Sequence, residues 1–122
     1  MRLASSLAGL LLAFAAESQV PGVRLLVQSS PLAGFRYHAA GELWPRLRVG
    51  DALELRREAD NPHDANAVAV LWRGRKLGYV PRRANAALAW GIDRGAPLRA
   101  RISRLGMHPN PARRLEFEVF VE

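Results

Sequence analysis

The hydrophobic positions of this chain fall into short runs that alternate with polar ones, the period of a pleated strand rather than of a helix. From Val68 to Trp72 the run is apolar on both faces: Val68, Val70 and Trp72 point one way, and Ala67, Ala69 and Leu71 the other. A strand of that kind is covered on both sides. Half-buried alternation is expected at 23–28, where Val23, Leu25 and Val27 share a face, with Ser29, Ser30 and Pro31 as the break. It recurs at 53–56, at Leu98, Ala100 and Ile102 against Arg99, Arg101 and Ser103, and at Leu115, Phe117, Val119 and Val121 against Glu116, Glu118 and Phe120. Trp72-Arg73-Gly74-Arg75-Lys76 closes a hairpin onto Leu77–Val80, and Val49-Gly50-Asp51 supplies a turn into the strand at 53. Trp44 precedes Pro45 and is expected to be extended. One helix stands out: Pro81 suits its first turn, Ala84, Ala87, Leu88 and Ile92 recur at its period, and Gly95 stops it. The chain therefore predicts a mainly β protein with one or two short helices, folded as a small barrel.

Directly before the doubly apolar strand lies Asp60-Asn61-Pro62-His63-Asp64-Ala65-Asn66. Asn61 is pushed out of the helical region by Pro62, and Asp and Asn side chains bond their own backbone two residues on, so residues 60–66 read as a tightly turned loop. Alone, this pattern fits a turn with no further role. A second loop, Gly106-Met107-His108-Pro109-Asn110-Pro111, is expected to project from the barrel.

Composition narrows the chemistry. A chain of 122 residues is one domain with enough interior to stand without staples. It has no cysteine, which removes disulfides and thiolate zinc sites. The net charge is +7, and of the 18 basic residues only Lys76 is not arginine. The planar guanidinium fork suits phosphate and stacks on flat rings, so this charge favours polyanions, nucleic acid first. Residues 1–16 carry Arg2, an apolar run from Leu7 to Phe14 and the small-x-small triplet Ala13-Phe14-Ala15. They read as a secretory signal peptide, which predicts a secreted or periplasmic protein; an amphipathic start segment on a cytoplasmic protein is the alternative.

Catalytic patterns are missing. There is no nucleophile elbow, no glycine-rich phosphate loop and no paired-carboxylate motif, so an enzyme is not expected. His38, His63 and His108 with Asp60 and Asp64 lack metal-ligand spacing, since neighbours such as His63 and Asp64 diverge on an extended chain; no metal and no cofactor is expected. Arg82 and Arg83 would lie beside the amino end of the helix, either near a phosphate or simply in solvent.

The segment Arg57-Glu58-Ala59-Asp60-Asn61-Pro62-His63-Asp64, then Asn66-Ala67-Val68, Gly74 and Leu77-Gly78-Tyr79-Val80-Pro81, with Gly34-Phe35-Arg36-Tyr37-His38 upstream, resembles the HIRAN domain family. The likeness spans roughly residues 22–121, and residues 22–122 are the expected domain. It implies a modified oligonucleotide-binding (OB-like) barrel, with residues 34–39 as a strand or strand entry lining a groove. In the best-understood member that groove captures the free 3′ end of single-stranded DNA. The resemblance implies a phosphate contact for Arg36, a base contact for Tyr37, and a hydrogen bond from the terminal sugar hydroxyl to Asp64, beside Asn61. His38, Asp60, His63, Tyr79 and Arg82 occupy further contact positions with other residue types than that member has: His38 and His63 replace tyrosines, Asp60 an asparagine, Tyr79 a histidine and Arg82 a lysine. The implied partner is single-stranded DNA or another polyanion. An exported module that binds a peptide or polyanion without nucleic-acid function is the alternative.

Overall fold

The computed structural model describes residues 25–122. The leader reading at 1–16, and Val23 and Arg24 of the first expected strand, lie outside the described residues. Six strands follow: β1 (Leu25–Pro31), β2 (Ala52–Arg57), β3 (Val68–Trp72), β4 (Arg75–Tyr79), β5 (Leu98–Leu105) and β6 (Leu115–Val121), with two helices, α1 (Ala40–Leu43) and α2 (Ala86–Asp93). They form one sheet in the order β1-β6-β5-β2-β3-β4, antiparallel at every neighbouring pair.

All five residues of β3 are buried, as its two apolar faces require. Val68, Val70 and Trp72 enter the core with Phe117, Val119, Ile102 and Leu77, and Leu88 of α2 closes one end. The β3–β4 turn places Arg73 at φ 46° and Gly74 at φ 80°. Two left-handed residues in succession give the turn whose twist matches a hairpin, and glycine at the second position removes one Cβ clash.

The strand ladders do not close into a full barrel. Instead the chain just past β1 crosses to the far edge, where the Ala33 N–H donates to the Tyr79 carbonyl (2.9 Å) and the Tyr79 N–H donates to the Ala33 carbonyl (2.8 Å). Gly78 permits this approach: a Cβ there would stand 2.3 Å from the Ala33 carbonyl oxygen. That single bridge joins the two sheet edges and, as described below, walls the main cleft.

Several local expectations change. Ser29, Ser30 and Pro31 do not break β1 but belong to it, pairing with Glu118, Phe117 and Glu116. Proline is tolerated there because β1 is an edge strand with one side free of ladder bonds. Residues 35–37 form a 3-10 turn rather than a strand, entered through Gly34 at φ 77°. Trp44 is helical (φ −44°, ψ −48°), not extended, because α1 runs straight into a 3-10 turn over Trp44–Arg46 with Pro45 at its start, where no N–H is needed. The Trp44 ring meets Phe35 edge-on at 5.7 Å, and this packing offsets the cost of a helical residue before proline. Finally, α2 begins at Ala86 rather than near Pro81; Pro81 is extended (ψ 140°) and Arg82–Ala84 make a separate 3-10 turn.

The outer face of β5 and β6 carries three cross-strand ion pairs, Arg99–Glu122, Arg101–Glu118 and Arg104–Glu116, at 3.2, 3.3 and 3.2 Å. These cancel much of the positive charge on that side and leave unpaired arginines elsewhere. Among the described residues, no helix is long and apolar enough to cross a membrane.

Candidate functional site

The loop between β2 and β3 is built from Asx turns. Asn61 accepts the His63 N–H on its Oδ1 (2.9 Å), and Asp64 accepts the Asn66 N–H on its Oδ1 (2.9 Å). Both side chains also reach outward. Asn61 Nδ2 donates to Glu58 Oε1 at 3.1 Å, and Asn85 Nδ2 donates to Asp64 Oδ2 at 2.7 Å. Asn85 stands immediately before α2 yet caps nothing with its side chain; it is 2 % exposed and is spent on Asp64.

The loop, the Ala33–Tyr79 bridge and the turn ahead of α2 enclose a cleft of about 380 Å³. Asn61, His63 and Asp64 of the loop, Ala33, Tyr79 and Val80 at the bridge, Arg82 and Asn85 of the turn, and His38 all line it. Six residues singled out from the sequence therefore converge: His38, Asn61, His63, Asp64, Tyr79 and Arg82. Arg36 and Tyr37 do not line this cleft. They sit on the 3-10 turn leading to His38; Arg36 borders two neighbouring depressions, the first lined also by Pro109, Pro111 and Arg114, and Tyr37 only the second, lined also by Asn110, Pro111 and Ala112. His38 lines both the cleft and the first of these depressions, so the two adjoin. Tyr37 is 81 % exposed, with its ring free to meet a planar ligand. Asp60 is exposed and outside the cleft.

Behind the cleft lies a group of residues given no role from sequence. Glu58 accepts hydrogen bonds from Lys76 Nζ, from the Tyr79 hydroxyl (2.8 Å) and from Asn61. Lys76 also donates to the Tyr79 hydroxyl (3.0 Å). Burial alone would push the Glu58 carboxyl up, but the donors Lys76, Tyr79 and Asn61 together outweigh it and hold it below the usual glutamate range. The same bonds, Glu58 first and Tyr79 second, raise the Lys76 ammonium above its ordinary value. The cluster thus stays a formed ion pair with two polar cleft residues, Tyr79 and Asn61, fixed to it.

The electrostatics of the cleft are divided. Desolvation, then the nearby Lys76 charge, lowers the His38 pKa, so at neutral pH this ring is an uncharged aromatic, edge-on to Tyr79 at 5.4 Å. Asp64 is held below the usual aspartate range by the Asn66 amide first and the Asn85 amide second, and so remains a carboxylate. Arg82 Nε is 3.7 Å from it, and Arg82 Nη2 donates to the His63 carbonyl at 2.8 Å. The Asp64 side chain keeps 19 % of its surface exposed toward the cleft, and each carboxylate oxygen has a further lone pair beyond the bond it already accepts. The site can thus accept a hydrogen bond at Asp64, meet an anion at Arg82 and pack a flat group against His38, His63 or Tyr79. Among the described residues no group of three His, Asp or Glu side chains could hold a metal ion.

Asn85 and Glu58 had faint sequence signals at most. Glu58 lies three residues before Asn61, within turn reach, whereas Asn85 falls inside the helix expected from Pro81. Only the fold brings it to Asp64, 21 positions away.

Comparison with solved structures gives a protein from Lactobacillus plantarum with 29% identity and a TM-score of 0.70, covering 81% of this chain and 95% of the other. The HIRAN domain of human HLTF superposes with a TM-score of 0.58 at 20% identity, covering 84% of each chain, which places the sheet in the same OB-like fold. No curated protein is a significant match. Residues 25–122 match the family model described as HIRAN domain. On the evidence of that match across its sheet, cleft loop and closing bridge, the chain belongs to the HIRAN domain family.

Proposed function

We propose that this protein is a nucleic-acid-binding module whose cleft receives the free 3′ end of single-stranded DNA. The observation that carries the reading is a carboxylate, Asp64, fixed by Asn85 and Asn66 at the wall of an aromatic cleft beside Arg82. A carboxylate repels a phosphate backbone wherever that backbone passes. It is useful at a strand terminus, where a sugar hydroxyl donates to it and no further phosphate follows. Arg82 then meets the last phosphodiester, His63 and Tyr79 flank the terminal nucleotide, and Tyr37 with Arg36 takes the strand as it leaves past His38. Aromatic platforms and cations in this arrangement hold single strands without regard to base sequence.

The test is a pair of titrations with the same oligonucleotide ended by a 3′ hydroxyl or a 3′ phosphate. The hydroxyl-ended strand binds more tightly by on the order of tenfold, the usual scale of one charge-assisted hydrogen bond gained against a repulsion. Asp64→Ala erases the difference while the phosphate-ended strand binds as well or better. Equal binding of the two ends by the wild-type protein sinks end capture and leaves Asp64 as a turn residue.

A further inference from the structure

Helix α2 presents two faces. Asn85, just before it, reaches into the cleft, and Leu88 and Ala89 are buried. Ala86, Ala87 and Trp90, with Arg83 of the preceding 3-10 turn and Arg94 just past the helix, all face solvent. Trp90 is 62 % exposed, whereas Trp72 is 3 % exposed with its indole N–H bonded to Asp51 at 3.0 Å. The Arg94 guanidinium carbon lies 4.0 Å from the centre of the Trp90 ring. The acid beside this face is taken: both Asp93 oxygens accept from Arg57, at 2.9 and 3.2 Å. Among the described residues Arg83 and Arg94 make no ion pair, in contrast to the neutralised arginines on β5. An exposed indole between uncompensated arginines, on a helix that begins at the cleft wall, matches a polymer of flat rings and phosphates.

We propose that this outer face of α2 is a second single-strand contact, in which a base stacks on the Trp90–Arg94 pair and Arg83 meets a phosphate. The contact serves nucleotides 5′ to the end held in the cleft, and in that respect it rests on the end-capture reading. The strand leaving the cleft first passes Tyr37 and Arg36, so a trinucleotide is taken up by the cleft and these two residues, while a longer strand also reaches Trp90.

The test compares a 3′-hydroxyl trinucleotide of thymidine with a decanucleotide, the longer lying within the ~4–16 nucleotides that one such fold covers. Wild-type protein binds the decanucleotide at least about fivefold more tightly, the scale of one stacked base. Trp90→Ala removes most of that gain and leaves trinucleotide affinity unchanged, whereas Trp90→Phe keeps most of it. Arg83→Gln lowers the salt slope for the decanucleotide by about one and leaves the trinucleotide slope alone. Equal wild-type affinity for the two lengths, a length gain that survives Trp90→Ala, or no binding of the decanucleotide overturns the proposal. The cleft reading fails separately, through loss of the preference for a hydroxyl end; a decanucleotide that still loses affinity on Trp90→Ala then supports the α2 contact alone.

Discussion

Replacing Gly78 by alanine tests whether one close backbone approach holds both the fold and the site. The added Cβ falls 2.3 Å from the Ala33 carbonyl oxygen and 3.0 Å from the Leu32 side chain. The obstacle is backbone, so it cannot rotate away as a side chain would, and β4 must separate from the chain after β1. That strains or breaks the two hydrogen bonds between Ala33 and Tyr79. Leaving buried backbone groups unpaired costs about 1–3 kcal/mol each, and overpacking adds about 1–3 kcal/mol. The smaller entropy of the unfolded alanine chain returns only about 0.4–1 kcal/mol. A net loss of at least about 2 kcal/mol is therefore expected, a large share of the ~5–15 kcal/mol that holds a domain together. In a thermal melt this lowers Tm by roughly 10 °C or more. Gly41→Ala is the control: in α1 its Cβ would meet only Phe35 at 3.9 Å, and alanine is the better helix former, so stability rises by up to about 1 kcal/mol. A Gly78→Ala protein that loses less than about 1 kcal/mol in denaturant titration refutes the account of the bridge.

Glu58 has a carboxyl pKa below its usual value of 4.5, so its contribution to stability is full above that value and disappears as pH falls through the lowered one; Glu58→Gln should flatten the acid limb of a Tm-versus-pH curve. If the two curves stay parallel below about pH 5, the Glu58–Lys76–Tyr79 cluster contributes nothing to folding. Tyr37→Ala should weaken single-strand binding by about 1–3 kcal/mol without moving Tm, since the ring is exposed; unchanged affinity would leave only diffuse attraction to arginine. Processing after Ala15 or Ala16 is expected in a host with a general secretion pathway, and mass spectrometry of the protein from that host checks it: an intact Met1 or Arg2 rules the leader out.

Alternation along 53–56, 98–102 and 115–121, and the doubly apolar run at 68–72, determined the strands and hence the β class, because burial on one or both faces is written directly into a period of two. The Arg73-Gly74 turn and the Asx turns of residues 61–66 were equally local, since each depends on side chains within two positions of the backbone they serve. Where local rules failed, packing had overruled them. Trp44 is helical before Pro45 because its ring has Phe35 to pack on, and Ser29–Pro31 remain in β1 because an edge strand needs no second row of hydrogen bonds. The cleft itself is a tertiary object. Residues near positions 33, 38, 61–64, 79 and 82–85 meet only because Gly78 lets Ala33 reach Tyr79, and Asp64 is aimed by an asparagine 21 residues away. Sequence named the chemistry of the loop, while the partners that orient it came from a sheet bent until its edges touch, a long-range closure that no short-range pattern encodes.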